Sequence, residues 1–475
     1  MRDITITFNE VDMMKVTQST SQIKWLPWIA GIAFFMQTLD ATIINTAIPS
    51  LAASLHQSPL NMQLTIISYT LTVAILIPVS GWLADKFGTR VIFLWAVGLF
   101  TLGSLACSLS TTLSQLIVAR VLQGVGGAMM VPVARLALLR CYPRKDFVRV
   151  LNLATMPGLV GPVVGPLLGG LLVTYASWHW IFLINIPVGI IGLWITKRYM
   201  PNLTSTTSHF DFLGFILFGF SLIFILGGIE LFGNQAVSIL FPILTLLVGV
   251  LLLIGYGWHA FNNEKALIPL SLFKTRTFKI GIRGNILSRL GTGAIPYLVP
   301  LMLQVGMGMS AFYAGCMMVP LALGALFGKS FVEKVLHRFG YRCTLMLATV
   351  IIGVITAAFG LVSNQLSIWF AVPLLFGLGI VRATQFTSMN TITLADLNDQ
   401  NASAGNSALA VTQLLAISLG LAVCSCILKL FNSYGYGDSI AHFHQTFISV
   451  GLITIFSALT FLSLKKGDGD NLINK

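Results

Sequence analysis

An all-α polytopic membrane protein is the fold class that three observations predict. Hydrophobic residues make up 56% of the chain and charged residues only 9%, with a mean hydropathy of +0.87. Apolar runs long enough to cross a hydrocarbon core of ~30 Å recur about fourteen times. Lysine and arginine gather in alternate short loops between those runs. A soluble domain of 475 residues does not carry so little charge. The formal charge of +13 follows the pattern that keeps loops on the cytoplasmic side, so it does not describe a nucleic-acid surface.

The predicted spans lie near 28–51, 62–84, 91–109, 113–136, 148–175, 179–195, 212–232, 237–261, 281–305, 311–331, 343–362, 366–390, 403–430 and 443–464. One set of loops holds Lys86 and Arg90; Arg140, Arg144, Lys145 and Arg149; Lys197 and Arg198; Lys265, Lys274, Arg276 and Lys279; and Lys334, Arg338 and Arg342. The C-terminal tail adds Lys465, Lys466 and Lys475 to that set. Loops of the other set, such as Ser54–Ser58, Ser108–Thr112, Phe232–Gln235 and Ser363–Gln365, have no Lys or Arg. Both termini are therefore expected in the cytoplasm. The loop 395–402 is an exception, since it falls on the basic side yet offers only Asp396 and Asp399. Residues before about Lys24 are polar and read as disordered, without the pattern of a cleaved signal peptide. Met13 and Met14 leave room for a later translation start.

The first span carries Asp40 about 18 Å from its ends, near the bilayer midplane. A carboxylate there costs at least ~2.5 kcal/mol and usually faces a polar cavity with a task, although a structural acid paired to a neighbouring helix is the alternative. Gln37 shares its face, while Thr42 and Asn45 turn away from it. The second span closes on Gly81–Arg90, a basic turn in which Gly88 permits the bend and Asp85 can bond a helix end or an arginine. That turn reads equally as a topology anchor or as a gate formed by Asp85, Gly88 and Arg90. The fourth span places Arg120 beside Gln123, Gly124 and Gly127 on one face. Arg120 cannot lose its proton, so it forms either a static pair with Asp40 or a relay that makes and breaks.

The fifth span repeats glycine every four residues at Gly161, Gly165 and Gly169, a stripe for close helix packing. Its Pro157, Pro162 and Pro166 remove backbone donors and suggest a stiff bend. Leu83–Arg90 and Val335–Arg342 form a weak internal repeat, an apolar residue followed by basic-Phe-Gly-x-Arg. If the first and ninth spans open equivalent halves, the seventh and eighth are an inserted pair between two six-helix bundles. The expected domains are a cytoplasmic tail at 1–24, a bundle at 25–200, the inserted pair with a linker at 201–278, a second bundle at 279–465 and a tail at 466–475.

In the second half Arg283, Asn285, Arg289, Gln304, Arg382, Gln385 and Asn390 are polar groups in or near spans. Of these, Arg289, Gln304, Arg382 and Asn390 join Gln37, Asn45 and Gln123 as candidates to line a substrate cavity. Glu230 ends the seventh span and carries little weight. The six cysteines are scattered and read as free thiols with no metal cluster. No P-loop, HExxH or GxSxG occurs, so an enzyme is not expected.

Gly81–Arg90, Arg120–Ala128 and Gly158–Gly170, together with Leu39–Pro49 and Trp178–Gly189, resemble signatures of the major facilitator superfamily. The resemblance is to its fourteen-helix drug:proton antiporter-2 branch and runs from about Trp25 to Ser463. It implies the major facilitator fold and a proton-coupled antiporter exporting amphipathic or cationic small molecules by alternating access. Asp40 would then titrate and Arg120 couple to it, with Gly158, Gly161, Pro162, Gly165, Pro166 and Gly169 forming the antiporter motif. It further implies a monomer in the bacterial cytoplasmic (inner) membrane, with protons as coupling ion, no cofactor and no nucleic-acid partner. Two departures stand out: His179 replaces the usual Arg, and His337 stands opposite Asp85. An exporter of one endogenous metabolite, such as a siderophore or amino acid, and a non-transporting sensor or scaffold remain as alternatives.

Reporter fusions check the topology. Fusions at Gly233 and Arg144 are expected on opposite sides of the membrane, and a shared side contradicts the span count.

Overall fold

The computed structural model describes residues 20–142, 144–205, 210–232, 237–263, 266–362, 370–397, 399–434, 439–465 and 467–469. The expectations for the tail before Lys24 (up to residue 19), the loops around Gly233 and Asn364, Lys265, Lys466 and Lys475 lie outside those residues. So do the side chains of Arg144, Lys145, Arg149 and Asp399. Among the described residues every regular element is a helix. The long ones are α1 (Thr20–Ile43), α2 (Gln63–Phe87), α3 (Thr89–Ser108), α4 (Leu113–Cys141) and α5 (Arg144–Tyr175). They continue as α6 (Trp180–Tyr199), α7 (Phe212–Phe232), α8 (Leu240–Asn262), α9 (Arg276–Gly306) and α10 (Ala311–Lys329). The last four are α11 (Val332–Leu361), α12 (Ala371–Leu394), α13 (Asp399–Tyr434) and α14 (Ser439–Ser457). Thirteen of these are long and apolar enough to cross a membrane by length and composition. The other is α12, whose 24 residues suffice in length but include Arg382, Thr384 and Gln385, which lower its hydropathy.

Two spans are broken in the same way. α1 ends at Ile43, passes through a 3-10 turn at Ile44–Thr46 and restarts as a short helix at Ile48–Ser54. α9 is interrupted after Thr292 and restarts at Ile295–Leu301. Both restarts carry Ala-Ile-Pro, at 47–49 and 294–296. Proline in a first helical turn lacks only an N–H that would be unpaired anyway, so it begins a helix more readily than it continues one. The repeat at the basic loops is equally matched: Gly88 has φ +97° and Gly340 φ +69°, backbone that side chains other than glycine rarely adopt.

Helix packing follows the same repeat. In the first half α1 packs on α4, α5 and α6, α3 on α4 and α6, and α2 on α4. In the second half α9 packs on α12, α13 and α14, α11 on α12 and α14, and α10 on α12. Adding eight to each number of the first set gives the second. The two bundles meet along α5–α10 and α2–α13, seams that exchange under a two-fold axis between the halves. α7 and α8 pack on each other, and α7 lies against the α2–α13 seam. Phe218, Leu222 and Tyr256 dock there against Val411, while Trp258 and Phe261 of α8 are left exposed for lipid.

The α1–α5 contact shows what the glycine stripe does. Methyl groups on Gly161, Gly165 and Gly169 would fall on Leu39, Thr42 and Ile43, and one on Gly158 on Phe34. The backbones therefore touch, and Thr42 Oγ1 donates to Gly161 O at 3.2 Å. Gly170 and Gly315 give α5 and α10 the same close approach across the seam, against Ala311 and Pro166.

The two ends of the molecule differ. At the end away from the basic loops the bundles are sealed: Ile43, Ile48, Leu51 and Met62 share one core with Tyr297, Leu298, Leu301 and Met302. Gln304 Nε2 donates to Thr46 O at 3.1 Å, Tyr297 Oη to Pro59 O at 3.3 Å and Phe312 N to Thr174 Oγ1 at 3.1 Å. Glu230, little weighted from sequence, is also engaged here, bonding Gln63 of α2 and Lys429 of α13. At the basic end the two halves have separate cores, joined where Leu414 of α13 packs on the first. The loop around Asp396 belongs to this end, since Thr277 Oγ1 donates to Asp396 Oδ2 at 2.9 Å beside Arg276.

Two alanine substitutions check the packing. Gly165→Ala is expected to lose about 1–3 kcal/mol by overpacking α1 against α5 and to lower the melting temperature in detergent. Gly98→Ala, with open space around its Cα, is expected to be neutral. Equal melting temperatures contradict the close-contact reading.

Candidate functional site

Asp40 sits on α1 one turn before that helix breaks, and its carboxylate is sealed inside the first bundle at 1% exposure. Arg120, on α4, is fully buried at 0%. Arg120 Nη1 donates to Asp40 Oδ2 at 2.7 Å. Gln123, one turn further along α4, donates from Nε2 to Asp40 Oδ1 at 2.7 Å and to Ser104 Oγ of α3 at 2.8 Å. Its Oε1 accepts from Arg120 Nη1 at 2.7 Å. Asn185 of α6 adds Nδ2 to Asp40 Oδ1 at 3.3 Å, and Thr65 O of α2 accepts from Arg120 Nε at 3.0 Å. The Tyr69 ring covers the guanidinium at 4.3 Å, a cation–π contact strengthened by the absence of solvent.

Five helices thus supply one ion pair with its shell. The i, i+3 spacing of Arg120 and Gln123 puts both on one face of α4. Gly103 and Gly126 allow α3 and α4 to close over them, since a Cβ on either would meet the other helix's backbone. Isolated burial of either charge would cost several kcal/mol, which only mutual attraction plus hydrogen bonds offsets. Arg120 Nη2 alone of the guanidinium nitrogens has no hydrogen-bond partner among the described residues, so the pair is held firmly but not fully.

A separate cavity lies between the bundles. Its larger lobe, about 250 Å³, is walled by α5, α9, α10 and α12, with Asn285, Arg289, Arg382 and Gln385 as polar groups and Phe386 as aromatic wall. A second lobe of about 210 Å³ shares Pro162, Ala322, Ala325 and Arg382 with it and reaches Thr42 of α1 and Asn45 of the turn that follows. The walls run from Pro166 and Pro296 below the seal to Lys329, the exposed last residue of α10 at the basic end. The cavity is therefore closed at one end and open toward the other.

Of the seven residues expected to line a cavity, the structure brings Asn45, Arg289 and Arg382 to these walls. Gln123 does not line it, because it is spent on Asp40 and Ser104. Gln304 is turned by the π-helical stretch at Met302–Gly306 into the seal, where it bonds Thr46. Gln37 donates to Gly127 O at 3.4 Å inside the first bundle, and Asn390 accepts from Gln413 at 2.5 Å inside the second. Asp40 faces this enclosed pocket of partners and not the cavity. Thr42 and Asn45, turned away from it, are the side chains of the first span that reach the cavity.

At the basic end Asp85 pairs with Arg140 of α4. Arg90 contributes a backbone N–H to Asn202 Oδ1 at 3.1 Å, and its side chain forms no ion pair among the described residues. Asp85, Gly88 and Arg90 thus lie together, but the charge pair runs within the first bundle. Its counterpart is absent from the repeat: His337 is 3.9 Å from exposed Glu333 of its own helix. Pro162 and Pro166 line the cavity while Gly158, Gly161, Gly165 and Gly169 face α1. Asn185 and Ser104 are not singled out from sequence, and Arg140 is read there only as a loop charge. Asn185 lies inside the Trp178–Gly189 stretch, whose one amide at a polar-poor position was the available signal.

The model of the Major Facilitator Superfamily matches residues 30–421. The chain is 46% identical over 451 residues to the "Putative multidrug resistance protein MdtD" of Pectobacterium carotovorum subsp. carotovorum (strain PC1), covering 93% of this chain and 96% of that one. The protein of the same name from Escherichia coli (strain K12 / DH10B) is 45% identical over 462 residues, covering 96% and 98%. Among solved structures, an inward-facing, unoccupied bacterial homologue of the human lysosomal transporter Spinster superposes with a TM-score of 0.68 at 16% identity, over 94% of this chain and 98% of that one. A D-xylose–proton symporter gives 0.66 at 14% identity, over 93% and 97%.

Breaking the buried pair from one side tests its energetics. Arg120→Leu is expected to destabilise by about 3–5 kcal/mol, because Asp40 is left charged and uncompensated. Adding Asp40→Asn to that variant should restore part of the loss. Melting in detergent measures both, and an unchanged midpoint for Arg120→Leu contradicts a tightly held pair.

Proposed function

The chain belongs to the Major Facilitator Superfamily and is a multi-pass membrane transporter, and from that premise we propose a proton-coupled antiporter that exports amphipathic small molecules by alternating access. The single observation supporting proton coupling is the Asp40–Arg120 pair, midspan and enclosed by side chains from five helices. Multidrug efflux is the cargo reading that the names of the relatives support.

The basic end is assigned to the cytoplasm, with both termini there, in the bacterial inner membrane. The structure then corresponds to a state open inward and sealed outward. Residues 25–200 and 279–465 rock as two bodies along the α2–α13 and α5–α10 seams, with 201–278 as the inserted pair and linker. The protein acts as a monomer with no cofactor beyond the coupling proton. Movement of α1 against α4 that breaks and re-forms the Asp40–Arg120 pair is the step we couple to the proton. One midspan acid in the first bundle sets one proton per cycle. The Asp85–Arg140 pair would hold the basic turn of α2 to α4 in the inward-open state and rearrange on closure.

Inverted membrane vesicles with an acid interior test the coupling, using a panel of amphipathic compounds of both charge signs. The parent is expected to accumulate panel compounds only with the gradient imposed. Asp40→Asn should insert normally and lose accumulation, while Asp40→Glu keeps a part. Accumulation by Asp40→Asn at the parental level rejects Asp40 as the proton site.

A further inference from the structure

Among the described residues the cavity between the bundles is lined by three cations, two at midspan and Lys329 at the basic end, and by no acidic side chain. Arg289 lies near the middle of α9 and Arg382 near the middle of α12, and both line the same lobe. Arg382 has no hydrogen-bond or ion-pair partner among the described residues, and Arg289 makes only a long bond from Nε to Asn285 Oδ1, at 3.4 Å. No Asp or Glu appears on either lobe. Asp40 is spent on Arg120 within the first bundle.

Two midspan guanidiniums that cannot deprotonate are expensive unless they meet water, a counter-ion or a ligand. A structural role would pair them, as Arg120 is paired. We propose that Arg289 and Arg382 form the anion-recognition site of the cargo cavity, so that the exported molecule is an amphipathic organic anion, carrying carboxylate or an equivalent oxyanion. Planar guanidinium forks match such oxyanions through two parallel N–H···O bonds. Phe386, with the Arg289 guanidinium 5.4 Å from its ring, and the Leu159, Val163 and Met389 walls accept the apolar remainder. An aromatic cation finds no opposite charge on these walls.

The charge balance of transport changes with it. One proton entering as one monoanion leaves moves two positive charges into the cell per cycle. Exchange of a proton for a monovalent cation moves none. This flux consequence rests on the proton-antiport reading above, whereas the binding site does not.

Binding is measured first, on purified protein, with radiolabelled phthalate as anion and phenyltrimethylammonium and dimethyl phthalate as cationic and neutral aromatic probes. Saturable phthalate binding is expected, weakened at least tenfold by Arg289→Gln or Arg382→Gln and lost in the double variant. Arg283→Gln, on the exposed side of α9, should bind as the parent does. Removing two like charges that lack partners should leave the melting temperature unchanged or raise it, whereas a structural role predicts a fall. The proposal is overturned by absent phthalate binding in the parent, by tighter binding of the cation, or by parental phthalate affinity in the double variant. Flux into inverted vesicles then separates the two readings. Phthalate uptake driven by an acid interior and accelerated by an interior-positive potassium diffusion potential supports both. Phthalate binding without gradient-driven uptake leaves the anion site standing and removes the antiport reading. Gradient-driven uptake of the cation alone, indifferent to the arginine variants, does the reverse.

Discussion

An aspartate and an arginine taken out of water at the middle of a membrane hold together only if their remaining donors and acceptors are also met. That constraint organises the first bundle. Asp40 on α1 takes donors from α4 and α6, Arg120 gives one to the α2 backbone, and Gln123 ties both to α3 through Ser104. The helices are therefore joined at one polar point as well as along their apolar faces. Adding or removing a single proton there changes the balance for all of them. The proposed proton-coupled cycle needs such a point, because a proton can drive a rearrangement only if its binding differs between states.

The glycine contacts bear on the other requirement of the proposed cycle, bundles packed tightly enough to move as units. α1 and α5 touch backbone to backbone at Gly161, Gly165 and Gly169, and small residues are what permits such packing in lipid. The seams between bundles are of a different kind. At the sealed end they combine an apolar core with a few bonds such as Gln304 to Thr46 and Tyr297 to Pro59, which can be exchanged for water without stranding a charge. Glu230 and Lys429 form the exception: an ion pair from the inserted α7 to α13, with Gln63 of α2 beside it.

The fold was legible wherever a local pattern carries the information. Hydropathy located the spans, and α12 is the least apolar of them because Arg382, Thr384 and Gln385 lie within it. The loop repeat read at Phe87-Gly88 and Phe339-Gly340 corresponds to two positive-φ turns. Asp40 with Arg120 was legible because intramembrane charges are scarce and must find one another. What the chain did not show was which polar residue goes to which cavity. Gln123 and Asn390 have the same chemistry as Asn45 and Gln385, yet helix rotation and neighbours separate them. The π-helical stretch at Met302–Gly306 turned Gln304 into the seal, and a change of helix phase of that kind has no signature in composition. Glu230 carries little weight as an acid at the outer end of the seventh span, and nothing local marks its partner Lys429, 199 positions away.

The central claim is that protonation of Asp40 is linked to the movement of the bundles. Spin labels at Ser58 and Tyr313, exposed on opposite sides of the seal, report that movement by double electron–electron resonance in a background lacking the six native cysteines. The distance distribution of the parent is expected to shift as pH is changed, and that of Asp40→Asn to stay in one position at every pH. An identical pH-dependent shift in Asp40→Asn would contradict the account, since some other group would then couple the proton to the gate.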